Sequence, residues 1–215
     1  MPKAGAQDAG AEPVEEPGDR RLTTLTDSAF AIVMTLLVLG IEMPEIAHER
    51  LDEELRGEVL RLWPRILVFI VSFLNLGIFW MGHHAQFHLL RRVNRVILWL
   101  NILFLMSVSM VPFTTHLVGT YSDQEIALWL YGANFIAISL LLLLNLRYAA
   151  RRGFLREDAP VGIVAEATRQ ILVGPAIYAI GIGLSFLDPR WGLALFMLVP
   201  ILHLLPGPIH LHWTR

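Results

Sequence analysis

The chain of 215 residues is 55% hydrophobic and only 17% charged, whereas soluble domains average about 45–50% apolar and about 25% charged residues. Its net charge of -2 gives no global basic excess for nucleic acid, and the absence of cysteine excludes disulfides and thiolate metal sites. The apolar residues form long uncharged runs between clusters of arginine and acid. Since a helix needs about 20 apolar residues to cross roughly 30 Å of hydrocarbon, the composition predicts an all-α, polytopic membrane protein without a soluble domain.

The apolar runs predict six transmembrane spans behind a polar tail. Residues 1–19 hold no apolar core, so we interpret them as a disordered cytosolic tail and not as a cleaved signal peptide. Residues 20–215 then form one six-helix unit, because no period of 20–50 residues repeats in it. The predicted spans are about 22–43, 66–87, 96–118, 126–146, 171–187 and 191–212.

Prolines and polar residues between the runs predict where these spans end or bend. The charged segment 45–61 predicts a short surface helix, and Pro112 predicts a kink in the third span. Ser122 and Glu125 have the spacing of a capping box that would open the fourth span. Asp188, before a proline, predicts the start of the sixth.

The distribution of basic residues predicts the orientation in the membrane. With the N-terminus inside, 12 of the 17 Lys and Arg residues fall in inner segments and 5 in outer ones. The positive-inside rule then places both termini in the cytosol.

The first span differs from the others because it carries carboxylates and hydroxyls. Only 14 residues separate Asp27 from Glu42, which is roughly 21 Å of helix and less than the hydrocarbon core. One or both carboxylates therefore lie at membrane depth, where a charge usually faces a partner or a water-filled path.

One stripe of the first span combines hydroxyl and aliphatic side chains at helical spacing. Its members are Ser28, Ile32, Thr35, Leu36, Leu39 and Met43. Asp27 begins beside the stripe and Glu42 ends beside it. The stripe could line a pore, although any transmembrane helix offers Leu and Ile at such spacings.

A longer pattern includes this stripe and the end of the second span. Arg21 is followed by Leu25-Thr26-Asp27, then by Phe30-Ala-Ile32, Thr35-Leu-Leu-Val-Leu39 and Glu42-Met-Pro44, and Trp80 is followed by His83 and His84. In this pattern the chain resembles bacterial members of the transmembrane protein 175 family, a group of potassium channels. The family marker is R-x-x-x-F-S-D, followed by F-A-I-x-x-T-L-L-V-L and acid-x-P. The family Phe is Leu25 here and the Ser is Thr26, so the motif loses a ring and gains a methyl group.

The resemblance implies a potassium-selective channel subunit in a bacterial plasma (inner) membrane. Four first helices of a homotetramer would line the pore, without the TVGYG filter of other potassium channels and with no cofactor beyond the permeant potassium ion. Ile32, Leu36 and Leu39 would form hydrophobic constriction rings, and Thr35 would bear on selectivity. The residues implied in polar contacts that hold the first three helices together are Arg21, Leu25, Thr26, Asp27, Trp80, His83 and His84.

Other features of the sequence are weaker signals. Glu42 and Glu45 could form an outer acidic ring that concentrates cations, but solvated loop acids explain them equally well. His84 and His88 are one helical turn apart and could ligate a metal, yet no carboxylate or cysteine accompanies them at ligand spacing, so we predict no metal site. Buried histidines near the cytosolic interface are the favoured interpretation of this cluster.

Two other classes of membrane protein were weighed against a channel. A secondary transporter, possibly proton-coupled, would show two related halves with helices broken at matching places, and the sequence shows neither. A membrane enzyme needs a convergent set of nucleophile, base or metal ligands, which the histidines do not supply. We therefore predict a channel and no enzyme, with a cation transporter as the alternative.

Overall fold

The computed structural model describes residues 17–42, 46 and 51–204, and most of them are helical. The helices in chain order are α1 (Pro17–Leu36), α2 (Leu51–Arg61), α3 (Trp63–His88), α4 (Arg95–Ser109), α5 (Val111–Thr120), α6 (Glu125–Arg151), α7 (Ile163–Ser185) and α8 (Pro189–Leu204). A 3-10 turn over Leu37–Gly40 extends α1. Within the described residues the all-α class is confirmed, and an isolated bridge between Leu90 and Leu155 is the one strand-type pairing.

Five helical segments of this part of the chain are long and apolar enough to cross a membrane. They are Arg21–Gly40, Glu54–His88, Arg95–Thr120, Glu125–Arg151 and Ile163–Ser185. The shorter apolar helix Pro189–His203 follows them. The arrangement is roughly that of the six predicted spans, although residues 1–16, residues 43–45 and the last part of the sixth span lie outside the described residues.

The helix break predicted from Pro112 is present in the structure, whereas the capping box predicted at Ser122 and Glu125 is not. The third span divides at Met110, where α4 ends and α5 begins with Pro112 in its first turn, so the predicted kink is present. The capping box was a wrong prediction, because α6 begins after Gln124 and no side chain caps it. Asp188 does precede α8, and its Oδ1 accepts a hydrogen bond of 2.8 Å from the Arg190 amide.

The core runs through the whole described bundle, and its largest aromatic cluster lies where α6, α7 and α8 meet. Tyr131 and Phe135 of α6 pack with Tyr178 of α7 and Phe196 of α8, and all four side chains are at most 1% exposed. Ring centroids in this cluster lie 4.8–6.3 Å apart, within the range of favourable aromatic pairs. α1 lies outside this cluster and packs mainly against α3 and α4.

Close packing of α7 against α8 depends on two glycines. A Cβ placed on Gly192 would lie 2.7 Å from the carbonyl oxygen of Gly181. Backbone atoms cannot move aside as a side chain can, so the two helices approach closely only because both positions lack a side chain.

We expect Gly192→Ala to destabilise the protein by about 1–3 kcal/mol through overpacking. Gly183→Ala is the matched control, because a Cβ on Gly183 meets nothing within 4 Å. Both substitutions gain the same helix propensity, so the difference between their thermal unfolding midpoints in detergent isolates the packing cost. Equal midpoints would contradict the close approach of α7 and α8.

Candidate pore helix and its polar support

The first helix has one face buried against its neighbours. The buried side chains repeat at helical spacing, and they are Leu22, Thr26, Phe30, Val33 and Leu37. Phe30 packs on Phe104 of α4 with ring centroids 5.9 Å apart. This face fixes the rotation of α1 about its own axis.

The opposite face of α1 is uncovered in the protomer. Ile32 is 59% exposed, Leu36 is 43% exposed and Leu39 is 72% exposed. Ser28 and Thr35 lie on the same exposed face. All the described members of the predicted pore stripe therefore lie on the side of α1 that the protomer does not use for its own packing.

The hydroxyl group of Thr35 is oriented by its own helix. Its Oγ1 donates a hydrogen bond of 2.8 Å to the carbonyl oxygen of Ile32. Because the only hydroxyl proton is engaged with the backbone, the oxygen is left as an acceptor. An exposed Thr35 oxygen can therefore face a cation or a water molecule.

A buried chain of hydrogen bonds connects α3 and α4 to the covered face of α1. The ring nitrogen Nε2 of His83 lies 2.7 Å from Oδ1 of Asn101 and must be its donor, since a carbonyl oxygen only accepts. Nδ2 of Asn101 donates to Oγ1 of Thr26 over 3.2 Å, and Thr26 in turn donates to the carbonyl oxygen of Leu22 over 3.0 Å. The His83 ring also stacks on two phenylalanines, so the chain is closed to solvent.

A second, more exposed group surrounds Asp27. Trp80 donates a hydrogen bond of 2.9 Å from Nε1 to Oδ1 of Asp27, and its ring stacks on His84 with centroids 5.6 Å apart. His84 and His88 bring their Nε2 atoms within 3.0 Å of each other. Asp27 therefore has the polar partner that its predicted position at membrane depth requires. Among the described residues no group of three or more His, Asp or Glu could hold a metal ion.

Two residues of the family pattern stand apart from these contacts. Leu25 is 54% exposed and lies on the uncovered face of α1, where the protomer offers no packing for the ring that it replaces. Arg21 is exposed and forms no hydrogen bond or ion pair with the rest of the described chain. The structure thus connects Thr26 with His83, and Asp27 with Trp80 and His84. Arg21 and Leu25 take no part in these contacts.

The far end of α1 lies beside two side chains from neighbouring helices. His116 of α5 lies 3.1 Å through Nδ1 from the carbonyl oxygen of Gly40. Arg65 and His116 each approach the Glu42 carboxylate to 3.9 Å. Arg65 therefore offsets part of the negative charge of Glu42, and Glu45 lies outside the described residues.

Asn101, which joins the motif on α1 to the histidine on α3, was not among the residues predicted from the sequence. Nor was a buried group in which Ser72 lies 3.0 Å from the Tyr131 hydroxyl and accepts from Thr115 over 2.8 Å. Polar residues inside apolar spans are the signal that could have found both groups, because such residues need partners within the bundle.

Comparisons with known proteins agree with this architecture. A sequence profile described as "Endosomal/lysosomal potassium channel TMEM175" matches residues 21–112. A potassium channel of Chamaesiphon minutus is 33% identical over 82% of this chain and 89% of its own length. The chain belongs to the TMEM175 family. The predicted family resemblance is confirmed.

Structural and sequence relatives of the TMEM175 family extend the match. The crystal structure of a lysosomal potassium-selective channel TMEM175 homolog from Chamaesiphon minutus superposes with a TM-score of 0.76 at 29% identity, covering 86% of this chain and 96% of that one. A potassium channel of Streptomyces collinus is 33% identical over 81% of this chain and 85% of its own length. The human endosomal/lysosomal proton channel TMEM175 is 26% identical over 60% of this chain and 25% of its own length.

These relatives establish the class of the protein. TMEM175 proteins are ion channels and not enzymes, so the predicted absence of enzymatic activity is confirmed. The apolar helices and the family together confirm a multi-pass membrane protein.

We expect Asn101→Ala to destabilise the protein by about 1–3 kcal/mol, because it leaves the buried His83 nitrogen and Thr26 hydroxyl without Asn101 as partner. The readout is the thermal unfolding midpoint in detergent. Asn134→Ala is the control, since Nδ2 of Asn134 has no hydrogen-bond partner to lose. If both variants lost the same stability, the chain from His83 to Thr26 would contribute nothing.

Proposed function

We propose that this chain is the subunit of a potassium-selective channel whose pore is lined by the uncovered faces of four α1 helices. The observation that carries the proposal is the two-faced character of α1, in which Ile32, Leu36 and Leu39 are exposed while the opposite stripe is buried. The bacterial relatives, which are named potassium channels, support potassium as the permeant ion.

In a homotetramer, the uncovered face of each α1 helix would face the same surface of the other three subunits. A pore built from one helix per subunit requires closed rotational symmetry, and each subunit then presents the same stripe to the axis. Without such an assembly the stripe would face lipid. Its aliphatic side chains would be suited to lipid, but the hydroxyl groups between them would have no function there.

The aliphatic rings supply a gate in this proposal. A narrow apolar neck loses its water column and so blocks ions without a plug. Four copies each of Ile32, Leu36 and Leu39 would form such a neck over about two turns of helix. Small movements of α1 would widen the neck and rehydrate it.

Selectivity follows from the cost of removing water from the ion. Potassium holds its hydration shell less tightly than sodium, so a tight neck with partial replacement of water favours potassium. The outward-facing oxygen of Thr35 is suited to that replacement because its proton is already bound to the Ile32 carbonyl. Glu42 contributes weakly to cation attraction in this proposal, since Arg65 and His116 lie beside it.

The proposal also includes an orientation. One end of the bundle holds the α3–α4 and α6–α7 connections with their arginines, and the positive-inside rule makes that end cytosolic. Both termini would then lie in the cytosol and the channel in the plasma membrane.

The proposal is tested by cation flux through purified protein in liposomes, with potassium, sodium and N-methylglucamine gradients compared. Ile32→Ala should raise cation flux severalfold, because a smaller side chain widens and wets the neck. Ile102→Ala is the matched control: it removes the same atoms from an isoleucine that is 47% exposed on α4. Native mass spectrometry of each preparation should give four copies of the 24.3 kDa chain.

The same experiment separates the channel from its alternatives. Equal flux in the two isoleucine variants would place the neck elsewhere. A cation transporter coupled to protons would move potassium only when a proton gradient is present or formed, whereas channel flux persists when an ionophore collapses that gradient.

Thr35 provides a second prediction, on selectivity. Thr35→Val keeps the shape of the side chain but removes the hydroxyl, so the ratio of potassium to sodium permeability should fall. Thr35→Ser keeps the hydroxyl and should retain the ratio. The measurement is the reversal potential under bi-ionic conditions, and an unchanged ratio in the valine variant would remove Thr35 from the selectivity mechanism.

A further inference from the structure

One end of the bundle carries an arginine surface that the pore does not use. The residues of this arginine surface are Arg91, Arg92, Arg95, Arg147, Arg151, Arg152 and Arg156. The same two segments, 91–95 and 147–158, contain only Glu157 and Asp158 as acids, so five positive charges remain in excess. All seven arginines are exposed.

The two segments are held together as a rigid unit. The amide of Arg91 donates to the carbonyl oxygen of Phe154 over 2.8 Å, and the amide of Arg156 donates to that of Leu89 over 2.9 Å. Asn94 adds a hydrogen bond of 2.9 Å to the Tyr148 hydroxyl. The arginines therefore project from a fixed backbone and not from independent loops.

Only part of the arginine surface is neutralised within the protomer. Arg91 pairs with Glu157 at 2.9 Å and Arg156 with Asp158 at 3.0 Å. The hydrogen bond from Arg156 holds the pKa of Asp158 below its usual range. The guanidinium groups of Arg92, Arg95, Arg147 and Arg151 form no ion pair or hydrogen bond with other described residues.

The unpaired arginines on α6 and on α4 lie where the exposed apolar surface of each helix ends. On α6 the exposed side chains Leu140 and Leu144 are followed on the same helical stripe by Arg147 and then Arg151. On α4 the order is reversed, because the arginine comes before the apolar residues. Arg95 is followed on the same stripe by Trp99 and Ile102, which are 55% and 47% exposed. A lipid-facing helix changes in this way at the headgroup level, where Trp and Arg anchor it.

We propose that the arginine surface binds the phosphate groups of anionic phospholipids in the adjacent membrane leaflet. Guanidinium groups form paired, charge-assisted hydrogen bonds with phosphate oxygens. The lipid phosphate supplies the counter-charge that the protomer lacks at Arg95, Arg147 and Arg151. This inference does not rest on the proposed potassium conduction.

The test counts lipid molecules bound to the purified protein by native mass spectrometry, during titration with phosphatidylglycerol or phosphatidylcholine. Wild type should retain phosphatidylglycerol preferentially. Arg147→Gln/Arg151→Gln should bind it about 25-fold more weakly, since each basic residue near a membrane surface changes affinity by roughly fivefold. Arg147→Lys/Arg151→Lys keeps both charges and should retain most of the binding.

Arg56→Gln/Arg190→Gln is the matched control, because it removes two exposed arginines from the opposite end of the bundle. It should bind phosphatidylglycerol as wild type does. Equal weakening in both glutamine variants would reduce the effect to net charge and overturn the proposal, as would unchanged binding in Arg147→Gln/Arg151→Gln. Inorganic phosphate at millimolar concentration should not displace the lipid; displacement would make the surface a site for free phosphate instead. Circular dichroism of every variant checks that the helices are intact.

Discussion

The arrangement of the described bundle depends on the hydrogen-bond chain that runs from His83 through Asn101 to Thr26. Inside a membrane no water can replace a missing partner, so polar groups between helices must satisfy one another. Asn101 of α4 donates to Thr26 of α1, and this hydrogen bond, together with the apolar packing of the covered face, fixes the rotation of α1 against α3 and α4. That rotation decides which stripe of α1 is buried and which is left uncovered in the protomer. A helix turned by half a revolution would bury Leu36 and expose Phe30.

The polar contacts of α1 are concentrated near its two ends. Thr26 and Asp27 are bonded near one end, and the Gly40 carbonyl near the other faces His116 of α5. Between them, the Thr35 hydroxyl bonds only within its own helix. The middle of α1 is therefore held by apolar packing alone, through side chains such as Phe30 and Val33. A segment with fixed ends and a middle without directional bonds suits a neck whose width must change, because dispersion contacts tolerate small shifts that hydrogen bonds do not.

Much of this arrangement could be predicted from the sequence because a membrane imposes simple rules. Apolar runs of sufficient length gave the spans, and Pro112 gave the break between α4 and α5. The family pattern identified α1 and its stripe. Asn101 could not be assigned in the same way, since a polar residue in an apolar span shows that a partner exists but not which one. The capping box at Ser122 failed because the helix ladder began at Glu125, and the motif specifies a start only where the Ser side chain reaches the backbone.

The arginine surface and α1 meet in one small apolar cluster. Leu22 of α1 is buried there with Leu90, Ile97 and Ala149, and Leu90 belongs to the bridge that joins the two arginine segments. A phosphate group that restrained those segments would therefore restrain the end of α1 that carries Leu22. The restraint would pass through Leu22 to the carbonyl that accepts from Thr26, which is the anchor of the covered face. If the arginine surface binds lipid phosphate, lipid charge would in this way affect the stability of α1 without any contact between the lipid and the exposed stripe.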